Sequence, residues 1–262
     1  MGLRNFLKAK SALIVWLVPL LLADGAVARA AEIKLLSGSA VTPAMIELIA
    51  KFEQLSGHKV VFDFDGAIGA MTNRLLTGEV ADVAIVSGEQ IGILQRQGKV
   101  VTGSRADIAK VGVGLFVRKG ASKPEISSIE AFRHTMLAAK SIGYNDPAAG
   151  APVSIYLIGL FERMGIAAEM QAKTTVFKLR TERFEAVARG DVEIGFNQIS
   201  EIVAAPDVDL VGPLPAPLQN YTLFASGIVA SGSEHDAGGA FIRFITSPTS
   251  MTIWRAKGFE DP

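Results

Sequence analysis

Short apolar runs alternate along this chain with stretches in which apolar residues recur at helical spacing. This alternation is typical of parallel sheets that are covered by helices on both faces. It predicts strands at Glu32–Ser37, Lys59–Phe64, Ala81–Val86, Val111–Arg118, Lys140–Tyr144, Thr174–Lys178, Glu193–Asn197 and Tyr221–Ala230. Helices are predicted between them, at Glu89–Gln97, Ser128–Ala139, Ser154–Met164, Thr181–Ala188 and Gln198–Ala204, and after them at Gly238–Ile245 and Pro248–Lys257.

The stretch Leu35–Gly57 predicts a strand end, a small polar turn and a helix. Thr42 is a good N-cap, Pro43 suits the first helical position, and Gly57 ends the helix. The segment Ser37-Gly38-Ser39 then lies at the carboxyl end of a strand, beside free backbone N–H groups. Such a turn binds anions without a positive side chain, although an ordinary strand-to-helix turn is the alternative.

Two long apolar strands predict that the chain passes twice between two lobes. The first, Val111–Arg118, is followed by a loop rich in Pro, Gly and Ser, and Tyr221–Ala230 leads back. The expected fold is therefore α/β and two-lobed, with two parallel-sheet domains joined by two crossing strands. Lobe 1 is expected to comprise residues 31–112 and 225–262, and lobe 2 residues 113–224. Ligands of open α/β sheets bind at strand ends, which places the expected site in a cleft that hinged lobes close.

Residues 1–30 have the composition of a secretory signal peptide. A basic region precedes the apolar run Ala12–Leu22, and Ala28-Arg29-Ala30 forms a small-x-small cleavage site. An uncleaved membrane anchor is the alternative, but this apolar run is short for a membrane span. We therefore expect secretion with a cleaved signal and no membrane insertion of the mature chain.

Composition narrows the chemistry that this chain can perform. It contains no cysteine, which excludes disulfides and thiol chemistry. The formal net charge of the full chain is zero, and removal of residues 1–30 leaves 22 basic and 25 acidic residues, a net charge of −3. A slightly acidic chain without basic runs argues against nucleic acid as a partner. The three histidines, His58, His134 and His235, have no metal-ligand spacing, so no metal is expected.

Four segments together resemble the periplasmic solute-binding proteins of the molybdate-binding family. They are SGSAVTPAM, GEVADVAI, YNDPAAGAPVSIY, and GDVEIGFNQISEI with the LVGPLP that follows. The resemblance implies the two-lobed type II fold, a periplasmic location and delivery of a small oxyanion to an ABC transporter permease. The family holds its tetrahedral dianion with serine hydroxyls, backbone N–H groups and one tyrosine.

This chain departs from the family pattern at those ligand positions. The first ligand serine falls on Ala40 unless a small gap restores Ser39, and the second serine cluster falls on the segment from Ala67 and Ile68 to Ala70. The tyrosine falls on Gln198 or Asn197. Each unmet hydrogen bond to a buried anion costs on the order of 1–3 kcal/mol, which disfavours molybdate.

Within the family, the chain most resembles a divergent branch that contains periplasmic aconitate isomerase. The resemblance implies interconversion of cis- and trans-aconitate by an allylic proton shift, a reaction that needs no metal or redox cofactor. The alternative is a non-catalytic receptor that delivers a molybdate- or tungstate-like oxyanion, or a small organic carboxylate, to a transporter.

Arginine suits a carboxylate ligand because its guanidinium binds both carboxylate oxygens. Arg74, Arg180 and Arg183 are candidates, and Arg74 is preferred because it follows a cleft turn; the alternative for each is a solvated charge on a helix face. The expected substrate site comprises Ser37, Gly38, Ser39, Ala40, Val41, Ala67, Ile68, Arg74, Asn145, Asp146 and Gln198.

The proposed roles divide three carboxylates of the substrate among these groups. The first turn, from Ser37 to the Val41 amide, holds one carboxylate, Arg74 holds the second, and Asn145 with Gln198 orients the third. Asp65 or Tyr144 moves the proton. Asp65 is alternatively a helix cap, Asp146 a turn former before proline, and Tyr144 a hydrogen-bond donor.

Overall fold

The structure, a computed structural model, describes residues 30–64 and 66–262. The predicted signal peptide lies outside the described residues except for its last residue, and Asp65 also lies outside them. The strands are β1 (Glu32–Ser37), β2 (Lys59–Asp63), β3 (Val83–Ser87), β4 (Ala106–Arg118), β5 (Ile142–Asn145), β6 (Thr174–Phe177), β7 (Ile194–Gln198), β8 (Val208–Pro213) and β9 (Tyr221–Ile228).

Ten α-helices lie among the described residues. They are α1 (Thr42–Ser56), α2 (Ile68–Leu76), α3 (Gly88–Arg96), α4 (Ile129–Ala138), α5 (Pro152–Arg163), α6 (Ala167–Ala172), α7 (Arg180–Arg189), α8 (Ile199–Val203), α9 (His235–Ile245) and α10 (Pro248–Ala256). The six-residue helix α6 was not predicted, since so short a segment carries little periodicity. None of the described helices is long and apolar enough to cross a membrane.

One continuous path of strands runs through the molecule in the order β2-β1-β3-β9-β4-β7-β5-β6, and β8 pairs with β4 beside it. The predicted parallel pairing is present where β1 meets β2 and β3, and where β5 meets β6 and β7. The long strands β4 and β9 pair with their neighbours in antiparallel fashion. The two-lobed α/β fold expected from the sequence is confirmed. Each lobe contains parallel strand pairs, and the antiparallel strands β4 and β9 join the two lobes.

Strand β4 connects the two halves of the fold. Its first half, Ala106–Gly112, pairs with β9, whereas Val113–Arg118 pairs with β7 and β8. One apolar core lies around β1, β3 and β9, and separate cores lie around β5 and β7 and beneath α7. The bounds of lobe 1 (31–112 with 225–262) and lobe 2 (113–224) remain a proposal.

The turn after β1 is tighter than the sequence predicts. Residues Ser39–Val41 form a 3₁₀ turn, and α1 begins at Thr42 with Val41 at the N-cap. Thr42 is therefore the first helical residue and not the cap, and its hydroxyl is buried without a hydrogen-bond partner. Gly57 ends the helix at φ +74°, as predicted, in the left-handed conformation that favours glycine.

Candidate functional site

A small cavity lies where the carboxyl ends of β5 and β7 face the start of α2 from the other lobe. Its volume is about 30 Å³. We call it the inner cavity, and it is lined by Ala67, Ile68, Asn145, Ala151, Pro152, Val153, Ser154, Arg183, Asn197, Gln198 and Glu201. This is the place where ligands of α/β sheets bind.

Arg183 is the dominant charge of the inner cavity. It lies on α7, its residue is 1% exposed, and its guanidinium sits 5.1 Å from the ring of Phe184 and 6.0 Å from that of Phe116. Nη1 donates a hydrogen bond to Asn145 Oδ1, whereas Nε and Nη2 have no partner. Nε and Nη2 share one edge of the guanidinium, which is the edge that binds a carboxylate through two parallel hydrogen bonds.

Burial makes this cation costly in the absence of a counter-charge. Desolvation lowers the pKa of Arg183 to about 10, with the cation of Arg180 acting in the same direction and the carboxylate of Glu201 acting against it. A buried guanidinium with two unpaired nitrogens is stabilised by an anion that enters the cavity.

The inner cavity also collects unpaired polar atoms. Within residues 30–64 and 66–262, seven buried side-chain nitrogen or oxygen atoms have no hydrogen-bond partner, and six of them belong to residues that line this cavity. Folded proteins leave few such atoms unpaired, so this concentration indicates a ligand. The six are Ser154 Oγ, Arg183 Nε, Arg183 Nη2, Asn197 Nδ2, Gln198 Nε2 and Glu201 Oε1.

Two helices begin at the inner cavity, one from each lobe. Helix α2 follows Ala67 and helix α5 follows Ala151, and neither N-cap residue makes a side-chain capping bond. Pro152 occupies the first turn of α5, where its missing N–H costs nothing. The free N–H groups of these first turns add partial positive charge beside Arg183.

A second cavity of about 270 Å³ adjoins the first and shares Ala67, Asn145 and Ala151 with it. We call it the outer cavity, and Ser39, Asp146, Lys178 and Arg180 are among its lining residues. Together the two cavities carry three cationic side chains and two carboxylates. A ligand longer than a single ion can therefore place one end on Arg183 and extend toward Lys178 and Arg180.

The two lobes touch through a pair of glycines. A Cβ on Gly69 would lie 2.9 Å from Gly150 Cα and 3.2 Å from the Ala149 carbonyl oxygen. Only glycine allows the α2 backbone to approach the lobe 2 turn this closely. Ser200 Oγ adds a polar contact by donating to Ala40 O at 2.9 Å.

Comparison with known proteins identifies the family of this chain. The family model described as bacterial extracellular solute-binding protein matches residues 33–260. The chain belongs to this family of solute-binding proteins. It is 31% identical over 257 residues to the aconitate isomerase of a Pseudomonas species, an alignment that covers 97% of this chain and 93% of that protein.

Molybdate-binding proteins are also similar to this solute-binding protein. The molybdate-binding protein ModA of Azotobacter vinelandii is 24% identical over 240 residues, covering 88% of this chain and 91% of that one. A solved structure of the A. vinelandii periplasmic molybdate-binding protein superposes with a TM-score of 0.74 at 19% identity, covering 88% of this chain and 99% of that chain. The resemblance inferred from the sequence is confirmed.

The structure of the solute-binding protein brings six of the sequence-predicted site residues to the two cavities. Some line the inner cavity, some the outer, and Ala67 and Asn145 line both. Asp146 also accepts a hydrogen bond from Ala148 N at 2.9 Å, which is the turn-forming role given as its alternative. The six are Ser39, Ala67, Ile68, Asn145, Asp146 and Gln198.

The first turn contributes less than the sequence suggests. Ser37 is fully buried, and its hydroxyl donates to the neighbouring Gly38 carbonyl at 3.1 Å. The amides of Gly38 and Ser39 donate to Ile85 O and Gly66 O, at 3.2 and 3.3 Å. These amides are therefore already paired and not free for a carboxylate. The first-turn residues that line neither cavity are Ser37, Gly38, Ala40 and Val41.

Tyr144 faces away from the site. It is buried in the core of lobe 2 and lines a different pocket, beside Phe161 and Met170. Successive side chains of a strand point to opposite faces, so Asn145 reaches the inner cavity and Tyr144 does not. Tyr144 is thus not positioned to move a proton there. Asp65, the other predicted proton carrier, lies outside the described residues.

Arg74 is engaged elsewhere and is not among the residues lining either cavity. Its Nη2 donates to Asp63 Oδ2 and its Nε to Glu79 Oε2, both at 2.6 Å. These two carboxylates raise the pKa of Arg74 and occupy its fork. The structure therefore does not place Arg74 at either cavity, whereas Arg183, which the sequence offered as a weaker candidate, lines the inner cavity.

Replacing Arg74 with glutamine should lower the free energy of unfolding at pH 7 by less than about 1 kcal/mol, because the ion pair is partly exposed. The hydrogen bond from Arg74 lowers the pKa of Glu79 below its ordinary value of 4.5. A carboxylate whose pKa is lower in the folded state stabilises that state above pH 4.5, and this stabilisation is lost as the pH falls further. Urea unfolding of both proteins should therefore show a difference that shrinks below pH 4.5. A difference that grows in acid would contradict this role.

Several site residues escaped the sequence-based prediction. Ser154, Asn197 and Glu201 all lie within segments that carry the family resemblance, but their unpaired atoms become evident only in the fold. Asn197 was considered only as an alternative to Gln198, and both line the cavity. Among the described residues, no cluster of three His, Asp or Glu side chains could hold a metal ion.

Proposed function

We propose that this protein binds a small multiply charged carboxylate between its lobes and interconverts cis- and trans-aconitate. The observation that carries the proposal is Arg183, a buried guanidinium whose carboxylate-binding edge is unpaired at the wall of the inner cavity. Similarity to a Pseudomonas aconitate isomerase over 97% of the chain supports the choice of substrate.

The reaction is an allylic proton shift, and the cavity supplies what it requires. A proton leaves the methylene carbon, the double bond moves, and a proton returns at the carbon that was vinylic. Negative charge spreads into the flanking carboxylates during the shift, and donors that face those oxygens stabilise it. Arg183, Ser154, Asn197 and Gln198 offer such donors, and their unpaired atoms are buried.

The second candidate function is a non-catalytic receptor for a molybdate-like oxyanion or a small organic carboxylate. Similarity to molybdate-binding ModA, at 24% identity, favours it. Under this alternative the protein delivers its ligand to an ABC transporter permease.

In either case we propose that the protein acts in the periplasm after removal of residues 1–30, as expected for an extracellular solute-binding family.

Turnover separates the two functions. Purified protein is incubated with trans-aconitate, and cis-aconitate is followed by proton NMR, while molybdate and tungstate are tested in a thermal-shift assay. The proposal predicts an equilibrium mixture of both isomers at substoichiometric protein and little shift with the oxyanions. A large oxyanion shift without turnover would establish the receptor function.

Replacing Gly69 with alanine should weaken trans-aconitate binding by about tenfold or more. The added Cβ meets backbone atoms of Ala149 and Gly150, and overpacking of this kind costs about 1–3 kcal/mol when the lobes close. Isothermal titration calorimetry measures the loss. Gly92→Ala is the matched control, since its Cβ within α3 meets only Arg96 Nη1 at 3.5 Å. Equal affinities of the two variants would show that the glycine contact is not needed for closure.

A further inference from the structure

Glu201 is a buried carboxylate with unused hydrogen-bonding capacity. It is 4% exposed, lies on α8 directly after β7, and lines the inner cavity with Arg183. Its Oε1 lies 3.4 Å from Arg180 Nε, close enough for an ion pair, but makes no hydrogen bond. Burying a carboxylate that is not fully paired costs folding free energy, which indicates that Glu201 has a function at this position.

The backbone around Glu201 is held firmly against lobe 1. The neighbouring Ser200 is fully buried, and its hydroxyl donates to Ala40 O across the lobe boundary. Ile199 packs against the core of lobe 1, and Gly258 lies against Ser200. When the lobes touch, Glu201 is therefore held at one wall of the inner cavity, which Arg183 also lines.

These observations fit a group that transfers a proton. A carboxylate oxygen without a donor is free to accept a proton from a ligand carbon, whereas one paired with donors is not. The surrounding unpaired groups, on Arg183, Ser154, Asn197 and Gln198, are donors of the kind that binds carboxylate oxygens. Glu201 is the sole carboxylate that lines the inner cavity among the residues the structure describes.

We propose that Glu201 is the proton carrier of the isomerisation, an inference that rests on the proposed function. The Glu201 carboxylate takes a proton from the methylene carbon, and the C–H electron pair forms a new double bond to the central carbon. The former double-bond electrons move to the carbon that was vinylic, with the negative charge shared by its carboxylate. The same Glu201 returns a proton to that carbon, so no oxidant, reductant or water is consumed.

A purely electrostatic role is the competing explanation. The charge of Glu201 faces two cations, and it raises the pKa of Arg183 against the effect of burial. If charge compensation were its whole purpose, its removal would alter anion affinity but would leave the proton transfer intact. The two explanations therefore differ in turnover at saturating substrate.

The test compares wild type with Glu201→Gln, which keeps shape and removes the base. Binding of propane-1,2,3-tricarboxylate, a saturated analogue that cannot isomerise, is measured by calorimetry. Turnover of trans-aconitate and deuterium incorporation from D₂O are measured by NMR. We expect Glu201→Gln to bind the analogue at least as tightly as wild type, and to lose turnover and deuterium incorporation by about 10²–10⁴-fold. Glu201→Asp should recover part of both.

Glu185→Gln is the control, because Glu185 lies on the exposed face of α7 and should leave every value unchanged. Retention of more than a tenth of wild-type turnover by Glu201→Gln would overturn the inference and leave the proposed function standing. Failure of both Glu201 variants to bind the analogue would assign Glu201 a structural role and also overturn it. Absence of turnover by wild type would refute the proposed function, and the proton-carrier role with it.

Discussion

Replacing Arg183 with methionine is expected to weaken binding of trans-aconitate by about 100-fold or more. The fork formed by Nε and Nη2 can donate two charge-assisted hydrogen bonds, each contributing about 1.5–3 kcal/mol. Methionine is unbranched and apolar, and we expect it to keep a contact with Phe116 and Phe184. The free energy of unfolding without ligand should change little, because removal of a desolvated cation is offset by the loss of its hydrogen bond to Asn145 and of its attraction to Glu201. Calorimetry and urea unfolding measure the two effects.

The matched control for this substitution lies on the same helix. Arg189 is exposed and pairs with Glu185 and Asp191, so Arg189→Met should bind trans-aconitate as wild type does. If Arg183→Met and Arg189→Met bound equally well, the buried guanidinium would not be part of the ligand site. If Arg183→Met lost both binding and several kcal/mol of stability, Arg183 would be mainly a structural residue.

Replacing Asp82 with alanine is expected to destabilise the folded protein more than any substitution at the ligand site. The buried Asp82 carboxylate accepts three backbone hydrogen bonds, from Lys34 N and Ser233 N at 2.8 Å and from Glu234 N at 2.9 Å. It thereby joins β1 to the loop that leads into α9. The loss should be on the order of 3–5 kcal/mol, which corresponds to a drop in Tm of roughly 10 °C.

The control is Asp191→Ala, since Asp191 is an exposed partner of Arg189 and should cost about 1 kcal/mol at most. Thermal unfolding followed by circular dichroism measures both variants. Comparable losses in the two would mean that the three backbone donors find other partners when the Asp82 carboxylate is removed. Asp82 lies in the GEVADVAI segment, which carries part of the family resemblance. In this segment the resemblance therefore reflects a residue that stabilises the fold and not one that binds ligand.

Periodicity was sufficient to predict most of the fold. The apolar alternation located β1, β5, β7 and β9 to within two residues at each end, whereas β4 begins at Ala106, five residues before the predicted start at Val111. The antiparallel pairing of β4 and β9 was not predicted, because hydrophobic pattern carries no information on strand direction. Short elements such as α6 were also missed, since one and a half turns contain little pattern.

The site was predicted less well, for reasons that particular residues illustrate. Tyr144 and Asn145 are adjacent in sequence, but a strand directs one to the core and the other to the cavity. Arg74 was preferred to Arg183 because it follows a cleft turn, and only the fold shows that Asp63 and Glu79 pair with Arg74. Glu201 has no sequence signal of its own beyond its place in a segment that resembles the family.

Under the proposed function, a guanidinium takes the part that hydroxyl groups play in the molybdate-binding pattern, which changes the ligands that the cleft favours. A tetrahedral oxyanion is held well by hydroxyls and backbone amides that surround it, whereas a planar carboxylate matches the planar fork of arginine. The inner cavity combines that fork with the amides of Asn197 and Gln198, at positions that matched a tyrosine of the molybdate-binding pattern. Under the proposed function, the same two-lobed closure encloses an organic acid in place of a metal oxide.

A crystal structure of the protein with propane-1,2,3-tricarboxylate tests the central claim most directly. We expect one carboxylate of the analogue on Nε and Nη2 of Arg183, with its carbon chain directed toward the outer cavity and Glu201 beside a methylene carbon. An analogue bound elsewhere, or a cleft that takes up only a tetrahedral oxyanion held by hydroxyls with the Arg183 edge still unpaired, would contradict it.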